Sequence, residues 1–299
     1  MRCSIIIPTY NRIASLRRCL TAITRQSHPD YEVLVVDDAS SDPTGAMVQT
    51  EFPRCRYLRI AQRGGSTCAR NRVIAQATGS LLVFTDDDCL AQPNWLSAHE
   101  RHYADSQIGA VGGPLVPATP SFCDKFYAAH YREEFETLRR IERLHRWERL
   151  VTGNMSVPRA VFERMGGFDE QMPRGADADL VRRIIRAGYA VVADPATGVE
   201  HLKTYTLRSF LIERYYKSCG SVMTDVKEGT LRARRFVPLL NVADAWRDWQ
   251  NFRTMYSASI GSFAAFWALA WINRWVEVTG RAYYYWTVGR FYSPNSRSS

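Results

Sequence analysis

The sequence predicts an α/β protein with a mostly parallel sheet flanked by helices, followed by a helical C-terminal region rich in aromatic residues. Short β-branched runs alternate with helical patterns over about the first hundred residues. Acidic clusters follow two of these runs, and open parallel sheets bind ligands at the carboxyl ends of their strands. Residues 201–299 hold 20 of the 36 aromatic residues and most of the net charge of +9, so two regions with different roles are expected.

The first elements follow one another as strand, loop and helix. Strands are predicted, in chain order, at Ser4–Ile7, Glu32–Val36, Arg56–Ile60 and Leu81–Phe84. A helix is predicted at Ile13–Gln26, because its apolar residues recur at helical spacing. A second helix is predicted from Ser66 to Ala77, with Ser66 as its N-cap.

Three further helices are predicted downstream. Arg132–Arg149 is densely charged, with an apolar residue at every third position, and predicts a solvated amphipathic helix. A short helix begins near Pro158 and covers Val161–Gly167. Another covers Asp179–Ala187 and is closed by Gly188, since glycine commonly follows the last turn of a helix.

The seven cysteines are scattered singly, without a CxxC pair. This distribution disfavours a disulfide framework or a zinc site and favours a reducing cytoplasm. The first eight residues read as a buried strand without a long apolar segment behind it, so no signal peptide is expected.

Three adjacent aspartates, Asp86, Asp87 and Asp88, end the apolar run Leu81–Phe84. Like charges at this spacing repel, and burial makes the repulsion worse. The chain has no G-x-x-x-x-G-K-[ST] loop, and no G-x-G-x-x-G follows a strand. A divalent cation on the triplet would compensate the charge and bridge it to substrate phosphates. A solvated acidic loop is the alternative.

Six segments and one histidine occur in a characteristic order. They are SIIIPTYNR (Ser4–Arg12), VLVVDDAS (Val33–Ser40), GGSTCARN (Gly64–Asn71), VFTDDDC (Val83–Cys89), TGNMSVPRAVFERMGGFDE (Thr152–Glu170), RGADADLVRRIIRAGY (Arg174–Tyr189) and His201. Together they resemble the GT-A glycosyltransferases of family 2. The resemblance covers residues 1–203, which would form the nucleotide-sugar-binding and catalytic domain, with 204–299 as a separate helical region.

The resemblance implies a role for each matching residue. The implied nucleotide-binding residues are Pro8, Thr9, Tyr10, Asp37, Asp38, Arg70, Asp86 and Asp87. Asp88 and His201 would hold Mn²⁺ or Mg²⁺, and Asp177 would be the catalytic base. The implied acceptor-binding residues are Gly153, Asn154 and Asp179.

Some residues leave alternatives open. Ala176 stands where the family usually has Glu, so either Asp177 works alone or Asp179 shares the role of base. Both aspartates could instead be first-turn acids favoured by the helix dipole. Asp37 and Asp38 could merely cap a turn, Arg70 could be a surface arginine, and His201 could be structural.

The resemblance implies an inverting transfer of sugar from a nucleotide-diphosphate-sugar, UDP-linked by default, to a hydroxyl of a saccharide or lipid-linked acceptor. The leaving diphosphate gains negative charge that a cation stabilises, and the acceptor hydroxyl needs a carboxylate to take its proton. A catalytically inactive nucleotide-sugar-binding homologue is one alternative. A sugar-phosphate nucleotidylyltransferase is another, although PTYNR is not the Gly-rich basic loop that such an enzyme needs.

The last third suggests a membrane surface. Residues 201–299 carry 14 Lys/Arg and 6 Asp/Glu. Thr254–Asn273 lacks charge, and the ridge of Phe263, Trp267, Trp271 and Trp275 recurs every four residues. Flanking cations and aromatic residues suit a lipid headgroup region, and these are Arg232, Arg234, Arg235 and Tyr283–Trp286. A spanning helix, soluble packing or a homo-oligomer contact are alternatives, and no nucleic-acid motif is present. The expected location is cytoplasmic, peripheral on the inner face of the cytoplasmic membrane.

Overall fold

The computed structural model describes residues 1–129, 141–144, 150–172, 174–227, 229, 231, 236, 242–257 and 261–287. These residues form two compact units. The first contains the described residues of Met1–Ala118, Glu134–Glu170 and Ala176–Lys203. The second contains those of Thr119–Glu133, Gln171–Gly175 and Thr204–Ser299. The second unit thus combines the region after Lys203 with two shorter segments from within 1–203, and the division into domains at 203/204 stays a prediction.

An eight-stranded sheet forms the centre of the first unit, in the order β3-β2-β1-β4-β9-β6-β10-β8. A three-stranded sheet has the order β5-β11-β7. The strands are β1 Cys3–Thr9, β2 Tyr31–Asp37, β3 Arg56–Arg59, β4 Leu81–Thr85, β5 Cys89–Ala91, β6 Ile108–Gly112, β7 Leu115–Pro117, β8 Glu142–Leu144, β9 Asn154–Pro158, β10 Ala190–Ala193 and β11 Val199–His201. In the larger sheet, β9 runs antiparallel between β4 and β6, and β8 runs antiparallel to β10. The other neighbours are parallel, which confirms the predicted fold class.

Ten helices lie in the described part of the chain. They are α1 Ile13–Ile23, α2 Thr44–Glu51, α3 Gly65–Ile74, α4 Trp95–Glu100, α5 Phe122–Tyr127, α6 Arg159–Arg164, α7 Ala176–Arg186, α8 Leu207–Lys227, α9 Val242–Tyr256 and α10 Gly261–Thr287. The strands and helices predicted before residue 90, and α6 and α7, are confirmed, with their ends shifted by a few residues.

Burial explains the first strand and helix. Successive residues of β1, including Ile5, Ile6 and Ile7, are all buried, because a strand inside a parallel sheet is covered on both faces. In α1, Leu16, Leu20 and their neighbours on the same face pack into the core beneath the sheet. Every residue of β1 is buried, whereas in α1 the buried residues recur at helical spacing, as the sequence pattern predicts.

Two details of the predicted elements are wrong. Ser66 does not cap α3, whose N-cap is Gly64. Glu142–Leu144 is a strand, so the helix predicted over Arg132–Arg149 does not hold there; only 141–144 of that segment lie in the described part. The aromatic ridge of Phe263, Trp267, Trp271 and Trp275 lies on one helix, α10, as predicted. In the described residues, no helix is both long and apolar enough to cross a membrane.

The second unit has an aromatic core. Phe126, Phe210, Phe252 and Phe266 are buried and contact one another edge-on or tilted, together with Trp249. Aromatic pairs in such arrangements contribute about 0.5–1.5 kcal/mol beyond the area they bury. The aromatic enrichment of the last third is therefore partly structural, and only its exposed residues can serve a partner.

Candidate active site

The carboxyl ends of neighbouring parallel strands bring the predicted nucleotide residues to one edge of the sheet. Thr9 ends β1 directly beside Asp37 at the end of β2. On its other side, β1 pairs with β4, which leads through Thr85 into Asp86. Pro8 lies within β1 itself, one residue before this edge. This edge is where open α/β sheets bind ligands.

Two arginines and a threonine compensate the aspartate triplet. Arg12 donates one hydrogen bond to Asp87 Oδ1 at 2.8 Å and another to Asp88 Oδ2 at 2.6 Å. Thr9 Oγ1 donates to Asp87 Oδ2 at 2.7 Å. Arg70 donates to Asp86 Oδ1. The triplet therefore has protein cations as partners even before any metal is considered.

The three carboxyl groups differ in charge preference. Burial raises the pKa of Asp87 to about 7, although Arg12 and Thr9 favour its charged form. Burial also opposes the charge of Asp88, but contacts with His201 and Arg12 outweigh it and hold the pKa of Asp88 well below its usual value. At neutral pH, Asp88 is the negative charge of the pair, while Asp87 can share a proton and relieve the repulsion.

His201 reaches Asp88 through strand pairing. β11 runs antiparallel to β5 with His201 opposite Cys89, and the amide of Leu202 donates to the carbonyl of Asp88 at 2.8 Å. This register brings His201 Nε2 to 3.3 Å from Asp88 Oδ1. Two residues more than a hundred positions apart in sequence are therefore in contact, and their shared role as metal ligands stays a prediction.

The donor atoms of this corner could hold a divalent cation. Ligand atoms of Asp88, Cys89 and His201 all lie within 4.8 Å of one another. Burial raises the pKa of the Cys89 thiol well above its usual value, so Cys89 remains a thiol and is a poor ligand. Asp88 and His201 then offer one carboxylate oxygen and one imidazole nitrogen as ligands for a divalent cation.

Asp37 and Asp38 hold loops in place. Asp37 is fully buried, and its two oxygens accept from the Ser40 amide at 2.8 Å and from the Tyr57 hydroxyl. Asp38 accepts from the amides of Gly64 and Gly65 at 2.7 and 2.8 Å. Those amides begin α3, so Asp38 does what Ser66 was expected to do. The turn-capping alternative describes both side chains, and base recognition stays a prediction.

The loop after β1 carries two further contacts, one hydrogen bond and one cation–π contact. Asn11 has a φ of 51°, in the left-handed region, and its Oδ1 accepts from the Ser41 amide at 2.7 Å. The guanidinium of Arg63 lies 4.0 Å from the ring centroid of Tyr10, a cation–π distance. Tyr10 is half-buried, so one part of its ring is stacked on a cation, and its nucleotide contact stays a prediction.

Gly153 lies against the triplet. A Cβ at this position would lie 2.8 Å from Leu115 Cδ2 and 3.1 Å from Asp86 Oδ2. Its carbonyl accepts from Thr85 Oγ1 at 3.1 Å. A larger residue here would crowd the side chains of Leu115 and Asp86, so glycine lets this loop approach the triplet closely.

Asn154 has a different position from the one expected. It is fully buried. Its Oδ1 accepts from Trp95 Nε1 at 2.9 Å, and its Nδ2 donates to the carbonyl of Thr197 at 2.8 Å and that of Pro114 at 3.3 Å. His99 Nε2 lies 3.1 Å from the same Oδ1. All hydrogen-bonding capacity of Asn154 is used inside the protein, so a direct acceptor contact is wrong and the side chain supports the loop from beneath.

Asp177 and Asp179 differ sharply. Asp177 is half-buried at the start of α7, and its Oδ1 accepts from the Ala178 amide at 2.8 Å. Asp179 is buried and pairs with Arg183, 2.8 Å away on the next turn. Arg183 also donates to the carbonyl of Gly167 at 2.8 Å. Asp179 thus anchors α7 to the preceding turn, whereas Asp177 keeps a carboxylate oxygen available. Within the described residues, no hydrogen bond or ion pair joins Asp177 to the triplet.

Arg12 is the site residue that sequence reasoning missed. It lies at the end of the segment SIIIPTYNR, two residues after Tyr10, and received no role. The three aspartates have no positively charged neighbour in sequence, which indicated that a cation from elsewhere must balance them. Periodicity does not show which residue more than seventy positions away does so.

Comparisons with known proteins agree with this geometry. Residues 4–165 match the sequence model of the family described as Glycosyl transferase family 2. The glycosyltransferase AglE of Haloferax volcanii is 31% identical over 193 residues, which are 63% of this chain and 62% of AglE. A validoxylamine A glucosyltransferase of Streptomyces hygroscopicus is 31% identical over 245 residues, covering 68% of this chain and 56% of that protein. The chain spans about six tenths of the length of these relatives.

Two solved structures share the fold. The mannosyltransferase PcManGT from Pyrobaculum calidifontis, in complex with GDP-Man and Mn²⁺, superposes with a TM-score of 0.65 at 20% identity, covering 94% of this chain and 87% of that one. GalNAc-T7 with UDP, GalNAc and Mn²⁺ gives a TM-score of 0.54 at 15% identity, covering 88% of this chain and 56% of that one.

Proposed function

The chain belongs to glycosyl transferase family 2, and we propose that it transfers a sugar from a nucleotide-diphosphate-sugar to an acceptor hydroxyl with inversion, in a reaction that needs Mn²⁺ or Mg²⁺. It is a glycosyltransferase with the GT-A fold. The observation that carries the proposal is the pairing of Asp88 with His201 at the ligand-binding edge of the sheet. UDP is the first nucleotide to test, with GDP and TDP beside it, because the solved neighbours hold UDP in one case and GDP-Man in the other.

The residues divide the work as follows. Asp88 and His201 would hold the cation, which supplies positive charge to the departing diphosphate. Thr9 and Arg70, at the same edge, would position the nucleotide. Asp177 would accept the proton of the acceptor hydroxyl while the oxygen of that hydroxyl forms a bond to the anomeric carbon. The bond from that carbon to the diphosphate oxygen breaks with its electron pair, so one displacement inverts the configuration.

Asp177 is preferred over Asp179 as the base because of their partners. Asp179 is buried and already pairs with Arg183, so its carboxylate is engaged in holding that side chain. Asp177 accepts only an amide from its own turn, among the contacts described. Ala176, in place of the usual Glu, then removes a neighbour without removing the base.

We also propose a membrane surface as the place where a lipid-linked acceptor is met. Support comes from the second unit, where Trp271, Trp275, Tyr283 and Trp286 are exposed on α10. Trp and Tyr favour the boundary between headgroups and lipid tails. The basic excess of residues 201–299 suits anionic headgroups.

Two assays test the proposed reaction. A thermal-shift screen of UDP-, GDP- and TDP-sugars, each with Mn²⁺, Mg²⁺ or a chelator, identifies the donor. Release of nucleotide from that donor, with and without an added acceptor, then measures turnover. Binding without any release of nucleotide would favour the inactive homologue, and stabilisation by no nucleotide-sugar would contradict the proposed function.

Asp177→Asn is the sharpest variant. It should keep donor affinity and lose turnover by about 10²–10⁴-fold, the usual contribution of a general base. Asp88→Asn should instead lose metal-dependent nucleotide binding, since it removes the charged ligand. Asp179→Asn serves as the comparison: if it loses more turnover than Asp177→Asn at equal stability, the assignment of the base is wrong.

A further inference from the structure

Arg12 occupies the same carboxylate that the proposed function gives to the metal. Its guanidinium donates to Asp88 Oδ2 at 2.6 Å, while the other oxygen of Asp88 faces His201. A second nitrogen of Arg12 holds Asp87 at 2.8 Å. Arginine keeps its charge at every accessible pH, so an approaching metal cation cannot neutralise Arg12 by displacing a proton from its guanidinium. The metal cation is therefore repelled by a fixed positive charge beside Asp88.

The burial of the partners shows which of them can move. The side chains of Asp87 and Asp88 are 5% and 4% exposed, whereas that of Arg12 is 42% exposed. Across the described residues, the hydrogen bonds of the Arg12 guanidinium go only to these two carboxylates. Arg70, the other arginine of the site, is itself buried. Arg12 is therefore a partly exposed side chain on buried carboxylates, and its departure breaks no other hydrogen bond or ion pair among the described residues.

A departure of Arg12 must be compensated. Removing one partner from a buried charge pair is strongly unfavourable, because it leaves the other charge uncompensated. A divalent cation on Asp88 and His201 would supply that compensation. The freed guanidinium would then need an anion, and the diphosphate of a nucleotide is one that arginine binds with two parallel hydrogen bonds.

We propose that Arg12 is a built-in counter-cation that opposes binding of the metal to the free enzyme and moves to the nucleotide diphosphate when metal and nucleotide bind together. This proposal rests on the proposed function and adds an order to it: metal enters with the donor and not before it. By linkage, the nucleotide then raises the affinity for the metal by the same factor as the metal raises affinity for the nucleotide.

Substitution of Arg12 should affect the two ligands in opposite directions. In Arg12→Gln, the full-length protein should bind Mn²⁺ about tenfold more tightly in the absence of nucleotide, since the competing charge-assisted hydrogen bonds are gone. The same variant should bind UDP, or whichever nucleotide diphosphate the thermal-shift screen selects, about tenfold more weakly at saturating Mn²⁺. Titration calorimetry measures both. A variant that merely damaged the fold would weaken both ligands.

Two further variants sharpen the experiment. Arg12→Lys keeps the charge but lacks the planar fork whose two nitrogens reach Asp87 and Asp88 separately. Its Mn²⁺ affinity should lie between those of the wild type and Arg12→Gln, and it remains informative if Arg12→Gln does not fold. Arg17→Gln is the matched control, because Arg17 lies in α1, directly after Arg12 in the fold, and pairs with Glu51 instead of the triplet. It should change neither affinity.

The outcomes separate this proposal from the proposed function. If the wild type binds the nucleotide in a Mn²⁺-dependent manner but neither Arg12 variant binds free Mn²⁺ more tightly, the role of Arg12 is overturned and the proposed function stands. If Mn²⁺ tightens in the variants while nucleotide affinity is unchanged, the transfer of Arg12 to the diphosphate is overturned. If nucleotide binding by the wild type does not respond to metal at all, the proposed metal-dependent function is itself contradicted.

Discussion

Three adjacent aspartates at the edge of the sheet have three different surroundings. Asp86 is partly exposed and pairs with Arg70. Asp87 is buried, and burial raises its pKa to about 7. Asp88 is equally buried, but its contacts with His201 and Arg12 hold its pKa low. The triplet thus separates one permanent charge from a neighbour that can be neutral, which lets like groups be packed together without full repulsion.

Beneath this edge, a buried network supports the loop that carries Gly153. The amide nitrogen of Asn154 donates to two carbonyls, so its oxygen accepts. His99 Nε2 therefore donates to Asn154, and His99 Nδ1 accepts from the hydroxyl of Ser156, 2.8 Å away. The imidazole is held neutral in one tautomer, and burial lowers the pKa of His99 to about 3 despite the hydrogen bond with Asn154.

This histidine should make the protein less stable in mild acid. The pKa of His99 is lower in the folded state than its unfolded value of about 6.5. The loss of folding stability that this difference causes is therefore absent above pH 6.5 and grows as the pH falls toward 3. At pH 5, the unfolded chain gains about 2 kcal/mol from protonating this residue. Urea denaturation at pH 7.5 and pH 5 should show that His99→Gln loses about 2 kcal/mol less stability between the two pH values than the wild type. Equal losses would mean that His99 is protonated in the folded protein.

The residue scale is also where sequence reasoning succeeded and failed most clearly. The acidic triplet was found because three consecutive charges after an apolar run are visible in one dimension. Asn154 was assigned to the acceptor because the motif TGNMS identifies the loop. The motif does not show that the amide of Asn154 faces the protein interior. Arg12 was missed because its partners lie more than seventy residues away, and only the fold brings them together.

At the scale of elements, strand register accounts for part of the site that no local pattern contains. The pairing of β11 with β5 places His201 opposite Cys89, one residue from Asp88. A shift by one residue would turn the imidazole to the other face of this small sheet. The first four strands and the early helices could be predicted from hydrophobic runs and periods, whereas β6, β10 and β8, the last within a densely charged segment, were not.

In the second unit, one glycine controls how closely two helices approach. A Cβ on Gly280 of α10 would lie 2.7 Å from the carbonyl oxygen of Tyr215 in α8 and would also meet Ser218 Oγ. Cys219 Sγ lies 3.3 Å from the carbonyl oxygen of Gly280. The Tyr215 carbonyl belongs to the backbone, so rotation of the Ser218 side chain alone would not make room for a methyl group.

Gly280→Ala should destabilise the protein although alanine is the better helix former. The gain in helix propensity is about 1 kcal/mol, and overpacking of a close contact typically costs about 1–3 kcal/mol. We expect a net loss of stability in urea denaturation, with a near-native circular dichroism spectrum. Thr279→Ala is the matched control, because Thr279 is the adjacent residue and faces outward. A stabilised Gly280→Ala protein would show that the helices have room to separate.

At the scale of the whole molecule, the net positive charge and the exposed aromatic side chains are concentrated in the second unit. The exposed positions of α10, Gly261–Thr287, contain no charged residue. Its charged residues lie inward or at the border, and Glu277 is buried against Arg214 at 2.7 Å and Arg281 at 3.1 Å. This arrangement reverses the usual pattern of a surface helix, in which charges face water. The exposed face is therefore suited to an environment less polar than bulk water.

We expect the full-length protein to bind vesicles that contain an anionic lipid and to remain partly bound at high salt. Basic residues near an anionic surface contribute about 1 kcal/mol each and are screened by salt. Each inserted Trp or Tyr adds on the order of 1 kcal/mol or more that salt does not remove. In flotation experiments, Trp271→Ser combined with Trp275→Ser should abolish the salt-resistant fraction. Val116→Ser, at an exposed apolar residue of the first unit, should leave it unchanged. If the protein stays unbound on such vesicles, and the double variant instead dissolves a dimer in sedimentation velocity, the exposed face of α10 is a contact between two copies of the chain.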